Sequence, residues 1–142
     1  MADADEARRP IALVVEDNQV NRMVACQMLK RGGIDTIEAD GGKGALERLQ
    51  EQPVDLVLMD VQMPDMDGLE TARAIRAGRA GDDRAMVPIV AMTAYASEED
   101  VQACYDAGMD AYLSKPLNME RFLDTVRTVI ETRRKSSRAP GA

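Results

Sequence analysis

The sequence predicts an α/β protein built round a parallel sheet, and three observations carry that prediction. Five short apolar runs alternate with five amphipathic segments along 142 residues. Three of the runs are apolar without a break, which is how strands buried on both faces of a parallel sheet read. The polar residues capable of chemistry fall directly after four of the five runs. Repeated strand–helix alternation implies parallel neighbours joined by right-handed crossovers.

The first run is Ile11–Val15 (IALVV). Val20, Met23, Val24 and Met28 then share one helical face, and Gly32-Gly33 supplies the stop. The second run is Ile34–Ala39, around TIEA. Ala45, Leu46 and Leu49 mark a second helix that must finish by Pro53. The third run is Leu56–Met59 (LVLM), and Asp67 with Glu70 reads as a capping box opening a helix that carries Leu69, Ala72 and Ile75. Residues 78–84 (GRAGDDR) are the longest glycine-rich, charged stretch and read as a mobile surface loop. After the fourth run, Ile89–Met92 (IVAM), Ser97 caps a helix with Val101, Cys104 and Tyr105 inward and Gly108 at its end. After the fifth run, Ala111–Leu113 (AYL), Asn118 caps a helix with Phe122, Val126, Val129 and Ile130 on one stripe. No repeat or linker divides the chain. The expected organisation is a flexible tail at 1–9, one domain at 10–132 and a flexible basic tail at 133–142. In that tail Arg133, Arg134 and Lys135 complement the negative end of the last helix.

Composition narrows the function classes. With 45% hydrophobic and 30% charged residues the chain has a globular profile. A net charge of −7 argues against direct nucleic-acid binding, which needs a basic face for phosphate. No apolar run approaches the roughly 18 residues of a membrane span, and the start MADADEARRP lacks the layout of a signal peptide. The expected location is therefore the cytoplasm, without membrane contact. Cys26 and Cys104 each fall inside a helical pattern without metal-ligand spacing and read as reduced, partly buried thiols. There is no histidine, so the chemistry must run on carboxylates, hydroxyls and lysine.

Glu16-Asp17 directly follows the first run, Asp60 the third, Thr93 the fourth and Ser114-Lys115 the fifth. Strands of an open parallel sheet all point the same way, so these residues gather at its carboxyl edge. Such sheets bind ligands there, in the crevice where the strand order reverses. If the order is 2-1-3-4-5, the first and third strands are neighbours and Asp17 faces Asp60. Carboxylates packed together repel and raise one another's pKa unless a cation sits among them. Oxygen-only ligands suit a hard ion, and a partly hydrated octahedral site suits Mg²⁺. Lys115 adds a mobile positive charge and Thr93 a hydroxyl donor. With an in-line nucleophile, these are the needs of phosphoryl transfer. Asp60 is the expected nucleophile, because it follows the central strand and is offered by the loop VQMPDMDG, stiffened by Pro64 and turned by Gly68. Attack of its carboxylate on phosphorus gives an acyl phosphate. Taken singly, each acid after a strand reads as a turn former or helix cap, and Lys115-Pro116 as a turn. The site reading rests on the whole set in its order.

The segments VVEDNQVN, LVLMDVQMPDMDGLE, VAMTAYA and YLSKPLN, at these spacings, resemble the response-regulator receiver family of two-component phosphorelays over residues 10–132. The resemblance implies a flavodoxin-like doubly wound (βα)5 fold with a five-stranded parallel sheet in the order 2-1-3-4-5. It implies Asp60 as phosphoacceptor and Mg²⁺ held by Asp17, Asp60 and the Gln62 backbone carbonyl, with Glu16 helping through water. Lys115 would contact the phosphoryl oxygens, next to a cis Lys115-Pro116 peptide. Thr93 would swing toward the phosphoryl group and Tyr112 turn inward behind it, reshaping the face of the fourth helix, fifth strand and fifth helix. Tyr112 also reads as a plain half-buried sheet aromatic. Gln62 and Tyr95, each two residues past a site residue, match positions that set phosphoryl lifetime. Asn18, Asn21 and the QMPDMDG loop resemble receivers of hybrid sensor kinases, or stand-alone relatives, more than those fused to DNA-binding domains.

Rival functions are weaker on the residues. A haloacid-dehalogenase-type phosphatase would carry a second aspartate two positions after the nucleophile, where this chain has Gln62. A nucleotide-binding loop at 40–44 (DGGKG) lacks the G-x-x-x-x-G-K-[ST] spacing. A phosphate-independent interaction module would have no need of the full acidic, hydroxyl and lysine set. The expected function is Mg²⁺-dependent transfer of a phosphoryl group from a partner's phosphohistidine to Asp60, then slow self-hydrolysis. The chain would thus catalyse only its own modification. The donor must be another chain or domain, a sensor histidine kinase or a histidine phosphotransfer domain. Output would pass through protein contacts, by a monomer or by a dimer that phosphorylation promotes.

Overall fold

The computed structural model describes residues 9–63, 67–94 and 97–138, with side chains described as far as Arg133. The elements in chain order are β1 (Ile11–Val15), α1 (Gln19–Arg31), β2 (Asp35–Ala39), α2 (Gly42–Glu51), β3 (Leu56–Asp60) and α3 (Gly68–Arg76), then a short 3-10 turn (Asp82–Arg84). They continue with β4 (Ile89–Thr93), α4 (Glu98–Asp106), β5 (Ala111–Ser114) and α5 (Met119–Arg138). All strand pairs are parallel and the order is β2-β1-β3-β4-β5. This is the predicted doubly wound sheet, whose order reverses between β1 and β3.

Alternation along each strand sends successive side chains to opposite faces, so one sheet feeds two cores. Leu13, Val15, Val57, Met59, Ile89 and Ala91 pack with Ala45, Leu49, Ala72, Ile75 and Cys104 of α2, α3 and α4. Ala12, Val14, Leu56, Leu58, Val90 and Met92 pack with Ala25, Leu29, Phe122 and Val126 of α1 and α5. Every residue of β3 and β4 is buried, in keeping with the unbroken apolar runs. The caps fall where the sequence places them. Asn18, Asp67, Ser97 and Asn118 accept hydrogen bonds from the backbone amides of Asn21, Glu70, Asp100 and Arg121.

Several elements differ from the sequence reading. Strands β3, β4 and β5 each run one residue further, so Asp60, Thr93 and Ser114 end strands rather than follow them. Their backbones stay in register, Asp60 opposite Met92 and Thr93 opposite Ser114. In α1 the buried positions are Ala25, Cys26, Met28 and Leu29, whereas Val20, Met23 and Val24 are exposed. Two apolar stripes overlap on that helix, and periodicity alone does not choose between them. Tyr105 is also exposed, because the adjacent Cys104 takes the inward position on α4. Helix α5 continues to Arg138, six residues past the expected domain end; Glu131, Arg133, Arg134 and Lys135 are good helix formers, and the next proline is Pro140. The 78–84 stretch is tied down rather than loose. Arg84 Nε donates to the Leu49 carbonyl at 2.8 Å, Gln50 Nε2 donates to the Arg79 carbonyl at 3.1 Å, and Ala80 is buried.

At the amino edge of the sheet, Arg76 gathers contacts that no local sequence signal marks. Its Nε donates to the Gly108 carbonyl (2.9 Å), Nη1 to the carbonyls of Ala85 (2.8 Å) and Val87 (2.7 Å), and Nη2 to Asp110 Oδ2 (2.9 Å). Among the described residues no helix is long and apolar enough to cross a membrane.

Candidate functional site

The carboxyl edge of the sheet, at the crevice between β1 and β3, holds the acidic cluster. Asp60 ends the central strand and is 3% exposed; Glu16 follows β1 and is 2% exposed. Asp17, beside it, is exposed, and carboxylate oxygens of Glu16, Asp17 and Asp60 lie within 4.8 Å of one another. Lys115 reaches in from the end of β5. Its Nζ lies 3.0 Å from Glu16 Oε2 and 3.4 Å from Asp60 Oδ1. The Lys115 backbone is fixed by donation from its amide to the Thr93 carbonyl at 2.9 Å, and the Lys115-Pro116 peptide is cis.

The loop that presents Asp60 is held from both sides. The Gln62 amide donates to Asp60 Oδ1 at 3.1 Å, and the Gly68 amide to the Val61 carbonyl at 3.0 Å. Gly68 lets α3 start hard against the Asp60 backbone. A Cβ there would collide with the Asp60 carbonyl oxygen and sit 2.8 Å from Val61 Cα. Thr93, buried, ends the strand next to β3. Tyr112 lies further back on β5, opposite Ala91, and is 38% exposed. Pro64 and Tyr95 lie outside the described residues.

Electrostatics follow from the packing. Burial foremost, and then the neighbouring Asp60, push the Glu16 carboxyl above its usual range, although Lys115 and the Asn18 amide pull the other way. Burial lowers Lys115, but Glu16 and Asp60 outweigh it and leave the ammonium held more tightly than usual. Three acids beside a single lysine leave an excess of negative charge, two of the acids out of water. All-oxygen donors with uncompensated charge fit a small divalent cation.

The structure thus brings Glu16, Asp17, Asp60 and Lys115 into contact range and sets Thr93 on the adjoining strand end, while Tyr112 stays apart. Sequence reasoning missed Arg22, whose Nη1 donates to the Glu16 carbonyl at 2.8 Å. The only sequence signal was an arginine three positions before the buried Ala25, one turn up the same face. A groove of about 520 Å³ opens beside the Lys115–Glu16 pair, with Val24, Pro116 and Leu117 among its apolar lining.

Comparison with known proteins agrees with this geometry. The family model described as the response regulator receiver domain matches residues 12–127. The chain is 38% identical over 120 residues to the sensor protein GacS of Pseudomonas syringae pv. syringae, covering 84% of this chain but 13% of that protein. It is 32% identical over 118 residues to the polar-differentiation response regulator DivK of Brucella anthropi, covering 83% of this chain and 94% of DivK. Among solved structures it superposes with a TM-score of 0.79 on the receiver domain of a sensor histidine kinase from Pseudomonas aeruginosa PAO1. That domain has magnesium coordinated in its active-site cleft; identity is 34%, covering 87% of this chain and 99% of that one. Receiver domains of this kind are signalling modules. Matched from its first strand into its last helix, the chain belongs to the response regulator receiver domain family and is a receiver domain of two-component signalling.

Proposed function

We propose that Asp60 is the phosphoacceptor and that a partner's phosphohistidine is its donor. The observation that carries this reading is the approach of three carboxylates to within 4.8 Å with Lys115 against two of them. In the transfer an Asp60 carboxylate oxygen forms a bond to phosphorus, the P–N bond of the phosphoimidazole breaks with its electron pair going to nitrogen, and the imidazole leaves as a neutral ring that keeps the proton already on its other nitrogen. Glu16, Asp17, Asp60 and the Gln62 carbonyl would hold Mg²⁺, which supplies positive charge at the phosphoryl oxygens. Lys115 exchanges its ion pair with Asp60 for the phosphoryl oxygens, and the Gln62 amide keeps the acceptor carboxylate oriented. Thr93 turns its hydroxyl to the phosphoryl group, and Tyr112 moves inward from its exposed position. The surface of α4, β5 and α5 changes with it, for a protein output partner or for dimerisation. Gln62 and Tyr95 set the lifetime of the modified state, which ends by slow self-hydrolysis.

The groove beside Lys115 and the apolar side chains of Val20, Met23 and Val24 on α1 support a protein donor, a sensor histidine kinase or a histidine phosphotransfer domain. Residues 10–132 form the receiver unit, α5 carries on past it, and the setting is the cytoplasm. The test is incubation with a small acyl-phosphate donor and Mg²⁺, followed by intact mass. We expect one base-labile phosphate that chelation and Asp60→Asn abolish. An adduct undiminished in Asp60→Asn, or none in the native chain, contradicts the proposal.

A further inference from the structure

We infer that Arg22 is a positioning residue for the metal-binding loop, acting through a clamp between α1 and the edge strand β2; the inference rests on the Mg²⁺ site proposed above. Arg22 lies in the first turns of α1, its side chain only 18% exposed. Its Nη1 donates to the Glu16 carbonyl at 2.8 Å and its Nε to Glu38 Oε1 at 2.9 Å. Glu38 stands on β2, in register with Val14, and its own carbonyl accepts from Arg48 Nε at 3.3 Å. The same strand accepts the Glu16 amide at the Ala39 carbonyl, 3.1 Å away. Both ends of the Glu16 backbone are therefore fixed to one edge of the sheet.

The carbonyl that Arg22 grips belongs to the peptide joining Glu16 to Asp17. Turning that peptide swings the Asp17 side chain, and an exposed carboxylate takes its place from the backbone that carries it. Glu38 has a second effect. It neutralises the guanidinium, so that Arg22 can orient an acidic loop without setting a net positive charge against an incoming cation. Ion-pair contact with exposed surface stabilises little by itself. Here the pair directs a hydrogen bond at a ligand-bearing peptide, the arrangement by which outer groups tune metal sites.

Positioning and simple charge predict opposite signs. Removing a cation near an acidic site tightens Mg²⁺ binding if charge alone matters, and loosens it if orientation does. The experiment titrates Mg²⁺ alone into the unphosphorylated protein by calorimetry, for the native chain, Arg22→Met, Arg22→Lys, Glu38→Gln and the Arg22→Met/Glu38→Gln double variant. Loss of an outer partner of this kind typically weakens metal binding about 10-fold or more, and that is expected for Arg22→Met. Arg22→Lys keeps the charge but not the two-pronged reach, and should fail to restore affinity. Glu38→Gln should weaken binding about threefold, and the double variant should be no worse than Arg22→Met, since both changes act through one clamp. Equal or tighter binding by folded Arg22→Met overturns the inference. If that variant does not fold, unchanged affinity in Glu38→Gln overturns it. A native chain that binds no Mg²⁺ overturns the site proposal itself, and the clamp with it.

Discussion

Glu16 is almost wholly buried beside two other acids, and its carboxyl holds a proton more tightly than in the unfolded chain. A raised pKa in the fold means that its contribution to stability is complete below about 4.5 and is lost as pH climbs through the folded value. Without Mg²⁺, denaturant unfolding should show stability falling as pH rises above about 4.5, and Glu16→Gln should flatten that fall. Lys115 has the opposite consequence at neutral pH. Its pKa is also raised, so its contribution persists through neutrality and is lost only above about 10.5. Gly68 makes a second prediction at this scale. Adding a Cβ drives it into backbone that cannot yield as a side chain would. Gly68→Ala should destabilise the fold by roughly 1–3 kcal/mol in chemical unfolding and displace the amide resonances of Val61 and Gln62.

The five strands and five helices were legible because their signals are local: unbroken apolar runs, side-chain caps, and glycines with positive φ at 33 and 108. What was not legible depends on partners distant in sequence. Which stripe of α1 turns inward is settled by α5 and the sheet, and nothing between residues 19 and 31 encodes that choice. The knot at Arg76 is the clearest case, since its acceptors lie 9 to 34 residues away. It binds the end of α3 to the segments that enter β4 and β5. Arg76→Met keeps much of the apolar stem but leaves the Gly108, Ala85 and Val87 carbonyls and Asp110 without that donor. Charge-assisted bonds lost from half-buried groups should lower stability by roughly 2–4 kcal/mol, read as a shift in the urea midpoint at unchanged slope.

Across the whole molecule, the parallel topology is what turns scattered residues into a site. The pair 16–17, residue 60 and residue 115 are far apart in the chain, yet each stands at a strand's carboxyl end, and the order β2-β1-β3-β4-β5 sets β1 beside β3 with β5 one strand further on. The acidic cluster and Lys115 were therefore readable in advance, whereas the Arg22–Glu38 clamp beneath them was not. A cation that binds only the folded chain should stabilise it by mass action, about 2.7 kcal/mol at a hundredfold excess over Kd. Thermal unfolding with and without saturating Mg²⁺ should show a rise of several degrees, sharply reduced in Asp17→Asn. The same topology places Asp60, the proposed acceptor, on the central strand, between the loop proposed to bind the metal and the β4–β5 half proposed to carry the response. The most direct test of that claim is borohydride reduction of the protein after treatment with an acyl-phosphate donor and Mg²⁺, followed by peptide mass mapping. An acyl phosphate on Asp60 is reduced to homoserine, so the prediction is homoserine at position 60 alone. A phosphoester surviving on a serine or threonine, or homoserine at Asp17 in place of Asp60, would contradict the account.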